Sequence, residues 1–365
     1  MTLPHGWKSL PLSQAADVVM GQSPPGSSYN KSGEGIPFFQ GKAEFGPKYP
    51  SVRQWTTAAT KFAKANDILI SVRAPVGPTN IADQDCAIGR GLAAIRAHSE
   101  LSQEYLIWYL KHVEADIAAK GKGSTFDAIS GAELRSIVIN LPPLDEQRRI
   151  VSTLEDHLSR LDKALAEVDG ASRNEVVLKR SILHSAFAKL EGDVLPLGQV
   201  SQPRYGKDVP KNMRGDLLEV PVVGSAGVMT YTSKALVEKP CILVGRKGNV
   251  GAVQKFEVPC SPVDTAYYLV CPEGVDLDFM YYQLLASDLK SLDSSTAIPS
   301  LRREDLEAVS FKKPSIDEQK SVASLIRDKL SELESALAQL GVISTKIATL
   351  RRSVLAAAFN GKLIS

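Results

Sequence analysis

A chain of 365 residues, 44% hydrophobic and 23% charged, carries enough apolar material for two or three soluble domains. No apolar run is long enough to cross a membrane, and the opening Met1 to Lys8 lacks a signal-peptide stretch, which points to the cytoplasm. Four scattered cysteines without a Cys-x-x-Cys pair argue against a zinc site or disulfide framework, and a net charge of +2 leaves nucleic-acid binding to be judged from local clusters of cations.

Residues 1–140 read as a mixed α/β block. The run Ile68 to Val72 predicts a buried strand, and Glu104 to Val113 an amphipathic helix. Glycine and proline punctuate the rest, so loops are plentiful. Cations, amides and hydroxyls gather there: Gln22 and Ser23, Gln40 and Lys42, Arg73, Arg90 between two glycines, and Lys122, Ser124 and Thr125. Lysine and arginine neutralise phosphates, while arginine pairs with guanine and asparagine or glutamine with adenine at base edges.

Residues 141–192 predict a long helix. It opens after Pro143, with Asp145 as a cap or first-turn acid. Val151, Leu154, Leu158, Leu161, Leu165 and Val168 follow in steps of three and four, a heptad seam. Arg148, Arg149, Arg160 and Lys163 flank it as an ordinary solvated face.

Residues 193–312 form a second mixed block, with a strand at Ile242 to Val244 and a helix from Leu277 to Leu289. Its candidate contact residues are Arg204, Lys207, Ser225, Arg246, Lys247, Asn249 and Arg302. Arg73, Arg90 and Arg246 rank first, because each follows an apolar strand-like run that places a cation at a strand end. Residues 313–365 predict a second long helix, opening after Pro314 and carrying Ile326, Leu330, Leu333, Leu337 and Leu340 on its seam.

The chain is written twice. Leu144-Asp145-Glu146-Gln147 returns as Ile316-Asp317-Glu318-Gln319, and one offset of 172 residues then aligns Leu158 with Leu330, Leu165 with Leu337 and Phe187 with Phe359. A narrow seam needs a partner, and the other copy is in the same chain. The expected architecture is therefore two mixed α/β domains joined by two long antiparallel helices in an intramolecular coiled coil, with pseudo-twofold symmetry. About forty helical residues span roughly 60 Å, enough for a rigid spacer. The seam falters near Gly170 and Gly341, which leaves a kink or a phase slip open.

Catalytic patterns are missing. Leu141-Pro142-Pro143-Leu144 lacks the polar residue and aromatic ring of an amino-methyltransferase loop. No Walker A loop is present, and the five histidines show no metal spacing.

The layout is similar to the specificity subunit of type I restriction–modification systems. The resemblance rests on Leu141 to Gln147 before a long helix, its return at Pro314 to Gln319, the ending Ala357 to Leu363 and the opening Leu3 to Trp7. Ser71 to Gly77 and Ala87 to Leu92 resemble the family's target-recognition domains. It implies that each variable block reads half of an interrupted site on double-stranded DNA. Two modification subunits would dock on the chain and supply S-adenosylmethionine-dependent adenine methylation. Two restriction subunits would add ATP- and magnesium-dependent translocation and cleavage. This chain would itself hold no cofactor or metal, catalyse nothing and bind no membrane. The second block reads Ser261 to Ala266 where the first has Gly89-Arg90-Gly91, so Arg90 has no evident counterpart. A coiled-coil scaffold for proteins and, further behind, a methyltransferase are the competing readings.

Overall fold

A computed structural model describes residues 3–121, 127–293 and 299–364. The chain divides into two compact units, Met1–Val168 with Ile343–Ser365, and Asp169–Val342.

In the first unit, β1 (Ala16–Met20), β2 (Ile68–Ser71), β3 (Thr79–Ile81) and β4 (Leu92–Ala97) form an antiparallel sheet in the order β1-β4-β2-β3. All residues of β2 are buried, as a strand covered on both faces must be. Ile68 and Ile70 face the core that holds helix α1 (Gln103–His112), whereas Leu69 faces a second core with Phe39 and Ile88. Ser102 caps α1 by accepting from the Tyr105 amide at 3.3 Å. Strand Lys8–Pro11 pairs with Val138–Leu141, closing the domain immediately before the long helix α2 (Leu144–Arg173). After Asn174 the chain continues as α3 (Glu175–Ala188) in the second unit.

The second unit repeats the plan. Strands β5 (Arg204–Tyr205), β6 (Cys241–Gly245), β7 (Val253–Phe256) and β8 (Ala266–Val270) form a sheet in the order β5-β8-β6-β7, which is the strand order of the first. Helix α4 (Leu277–Ala286) covers the face carrying Ile242 and Val244. Strand Asp193–Pro196 pairs with Ser310–Lys313 and leads into α5 (Ile316–Phe359). The repeat legible in the helices thus extends to domains whose sequences barely match.

The repeated glutamine explains why the helix starts are so alike. Gln147 is fully buried. Its Oε1 accepts from the Ser102 amide at 2.8 Å, and its Nε2 donates to the carbonyls of Glu100 and Pro142, both at 2.8 Å. Gln319, also fully buried, accepts from the Asp276 amide at 2.9 Å and donates to Gly274 at 3.2 Å and Pro314 at 2.9 Å. Ser102 caps α1 and Asp276 caps α4, so each glutamine bolts a long helix to the start of its domain's own helix.

The seam residues Val151, Leu154, Leu158 and Ile326 are buried, while Leu161, Leu165, Leu330, Leu333, Leu337 and Leu340 are half-buried. Within the first unit, the start of α2 shares a core with the end of α5 through Ile150, Leu154, Leu355 and Phe359. Arg351 pairs with Asp162 there. Phe359 packs against Tyr105 and Tyr109, with ring centroids 5.2 and 5.1 Å away. Within the second unit, Leu183 and Phe187 of α3 meet Ala323 and Ile326 near the start of α5. Start meets end in both units, which makes the pairing antiparallel. Helix α2 passes through Gly170 and breaks at Asn174, whereas α5 runs unbroken through Gly341.

Asp278 on α4 binds Lys255 and Arg327, the latter at 2.5 Å from α5. Burial pushes its carboxyl up, but the hydrogen bonds and charges of Lys255 and Arg327 outweigh that and hold it below its ordinary value. The sign is that of a depressed carboxylate: its stabilisation is present above the unfolded-state value, near 3.8, and is lost as pH falls through the lower folded-state value. Asp278→Asn is expected to lower the unfolding free energy near pH 7 and to cost little at pH 2, in urea titrations at both pH values. Gln147→Leu leaves the Ser102 amide and two carbonyls unpartnered, so it is expected to destabilise by about 3 kcal/mol in the same assay. A loss below about 1 kcal/mol would show that the clasp is dispensable.

Candidate nucleic-acid interface

In the first unit four loops converge beyond the strand ends. The Gly21 and Gln22 amides donate to Leu92 and Ile88, both at 2.9 Å; Gly89 donates to Phe39 at 2.8 Å, and Val72 to Gly91 at 2.9 Å. The loops sit too close for side chains at two points. A Cβ on Gly91 would lie 2.1 Å from the Gln40 carbonyl, and one on Gly21 would lie 2.1 Å from that of Gly89. The resulting cleft of about 240 Å³ is lined by Ser23, Gln40, Lys42, Arg73 and Arg90. These residues are spread over nearly seventy positions in sequence, and among the described residues no acidic side chain lines the cleft. Arg73, Arg90 and Lys42 are exposed and form no ion pair among the described residues. The Gln40 Nε2 donates to Gln54 Oε1 at 3.0 Å, and the Arg90 amide donates to Ser23 Oγ at 3.4 Å. Gln22 is exposed beside them. Lys122, Ser124 and Thr125 lie outside the described residues.

The second unit builds the same frame. Gly206 donates to Ala266 at 3.1 Å, Lys207 to Pro262 at 2.8 Å, Val263 to Val223 at 2.8 Å and Arg246 to Thr265 at 2.8 Å. Matching these bonds to those of the first unit assigns positions. Lys207 stands where Gln22 does, Gly224 where Gln40 does, Lys247 where Arg73 does and Asp264 where Arg90 does. An acid therefore occupies the place of Arg90. Arg246 corresponds to the buried Val72, not to Arg73. It is half-buried. Its guanidinium lies 4.9 Å from the Tyr205 ring and 6.0 Å from that of Tyr267, and it donates to the Asp264 carbonyl at 3.0 Å. The exposed cations here are Arg204, Lys207 and Lys247, with Asn249 beside them. Ser225 is buried, and its Oγ accepts from the Asn249 amide at 3.4 Å. Arg302 is held by Asp305 through two bonds of 2.8 and 3.0 Å. Gln54 and Tyr267 escaped the sequence reading, because only strand pairing brings them to Gln40 and Arg246.

Arg73→Ala is expected to leave the melting temperature unchanged, since the side chain is exposed and forms no ion pair among the described residues. Arg246→Ala removes a stacked, hydrogen-bonded cation and is expected to cost about 1–2 kcal/mol. Thermal unfolding of the two variants side by side checks this; equal melting points would deny Arg246 its bracing role.

Comparison with known proteins bears on this arrangement. The family profile for the type I restriction modification DNA specificity domain matches residues 4–168 and 192–339. A protein named as the MjaX specificity subunit of a type I restriction enzyme in Methanocaldococcus jannaschii is 46% identical over 156 residues, 42% of this chain and 37% of the relative. The EcoprrI specificity subunit of Escherichia coli is 22% identical over 165 residues, 44% of this chain and 41% of the relative. Each match thus spans less than half the length of the curated relative. A solved chain of a type I R-M system superposes with a TM-score of 0.80 at 18% identity, covering 99% of this chain and 100% of that one. The HsdS subunit of Thermoanaerobacter tengcongensis superposes at 0.65 with 19% identity, covering 99% and 98%. Those two likenesses establish the fold. With the profile matching twice, once over each copy of the strand order and its clasp, the chain belongs to the type I restriction modification DNA specificity domain family.

Proposed function

We propose that this chain is the non-catalytic DNA reader of a type I restriction–modification complex. Residues 1–140 and 193–312 each read one half of an interrupted site on double-stranded DNA, and the helices in residues 141–192 and 313–365 set the gap. The observation that carries this reading is the pair of strand-end loop clusters, built on one backbone frame and furnished with exposed amides and with exposed cations that form no ion pair among the described residues. Arg73, Arg90 and Lys42 in the first domain, and Lys207, Lys247 and Asn249 in the second, meet phosphates and base edges. Methylation and cleavage belong to the partners: two modification subunits using S-adenosylmethionine, and two restriction subunits using ATP and magnesium. The setting of this work is the cytoplasm.

The test is to map methylated adenines in DNA from cells making this chain with its modification partner. A two-part motif with a fixed gap, absent without the chain, is expected. A soluble complex that methylates nothing would turn the reading toward a protein scaffold. A scaffold is also indifferent to salt, whereas phosphate contacts make DNA affinity fall steeply as salt rises. Arg73→Ala and Lys247→Ala are each expected to weaken or relax one half-site and leave the other readable. The loss expected is about ten-fold if a base edge is touched, and a salt slope shallower by about one if only a phosphate is.

A further inference from the structure

The two domains also differ at one matched pair of positions at a strand end. In the first, strand Ile36–Phe39 runs beside Trp55–Thr56, with Pro37 opposite Trp55, and the Phe38 amide donates to the Gln54 carbonyl at 2.9 Å. Gln40, one step beyond the strand, joins its side-chain amide to that of Gln54 at the cleft. In the second domain, Val220–Gly224 runs beside Gly227–Thr232, with Pro221 opposite Tyr231. Thr56 and Thr232 are buried at matching places, 1% and 2% exposed. Here the register steps from Val222 opposite Thr230 to Val223 opposite Val228, so Met229 is an extra, bulged residue. A bulge beside a site re-aims a side chain, and this one turns the thioether onto Gly224, the counterpart of Gln40. A Cβ on Gly224 would lie 2.9 Å from Met229 Sδ and 3.2 Å from Thr265 Oγ1. Thr265 is the residue whose carbonyl holds the Arg246 and Lys247 amides. Met229 is nonetheless 59% exposed.

An apolar side chain has thus taken the place of a paired amide, at the edge of a strand-end loop cluster whose exposed groups include Lys207, Lys247, Asn249 and Asp264. We infer that Met229 is a specificity-determining residue of the second domain, packing its thioether on the 5-methyl group of a thymine. Gln40 with Gln54 serves the matching position of the first domain by hydrogen bonding. The thymine methyl is the one methyl group a base pair shows in the major groove, and a flexible, polarisable methionine fits itself to it. Exposure here has a use that a packing role would not require.

This inference rests on the DNA-reading function proposed above. The experiment takes the full chain with its modification partner, selects its target from a randomised duplex, and then replaces each thymine of the site singly by deoxyuridine, which lacks the methyl. Wild type is expected to lose roughly four-fold in affinity at one position, the value of one buried methyl. Met229→Ala is expected to bind the thymine and uracil duplexes alike at that position, and Gln40→Ala to change readout only in the other half. If Met229→Ala keeps the wild-type ratio at every position, or if wild type ignores every methyl in a defined two-part site, the role of Met229 is overturned. If the complex selects no sequence at all, the DNA-reading function falls, and this inference with it. Thermal melting of Met229→Ala, whose side chain is exposed, confirms that the comparison is made on a folded chain.

Discussion

A buried amide is costly unless every donor and acceptor is met, and Gln147 and Gln319 meet theirs entirely with backbone groups. Three fixed partners allow one orientation, so each glutamine sets the direction in which a long helix leaves its domain. The carbonyls it engages belong to the turn before the helix and to the turn before the domain's own helix. A change in either turn therefore reaches the clasp. This is why the sequence repeats most faithfully at Asp-Glu-Gln and along the seam, while the strands and loops beyond have diverged.

The loops show the complementary arrangement. Their positions are held by bonds between main-chain groups, such as Gln22 to Ile88 and Lys207 to Pro262, in which side chains take no part. Side chains on that frame can change without moving it. Arg90 has become Asp264, Gln40 has become Gly224, and Arg73 has become Lys247, yet the strand order and the hydrogen bonds persist. A scaffold that separates position from identity in this way suits a surface whose chemistry must vary from one target to another.

Much of this was legible in the sequence, for physical reasons that differ by element. The strand at Ile68 declared itself because both its faces are covered, and the helix expected at Glu104 to Val113 is observed at Gln103–His112. The seam was legible because its period is local. The pairing of Lys8–Pro11 with Val138–Leu141 was not, since nothing in a short strand names a partner so far along the chain. Availability was not legible either. Arg73 and Arg246 look alike as letters, but one makes no ion pair among the described residues and the other is spent on two tyrosine rings and a carbonyl. The faltering of the seam meant a break in the first copy and none in the second, a difference that two glycines could not reveal.

The order of synthesis gives the first unit's core an awkward schedule. Asn140 donates to the Phe359 carbonyl across 219 residues, and Phe359 fills the space against Tyr105 and Tyr109. As the chain leaves the ribosome, the sheet and α1 emerge long before the aromatic ring that finishes their packing. Until then a face bearing two tyrosines and the apolar edge of α2 stands open. The second unit faces no comparable wait, since Ala323 and Ile326 follow its last strand directly. The domain translated first is therefore completed last, and a nascent chain interrupted before Phe359 holds a sound second unit beside an unfinished first.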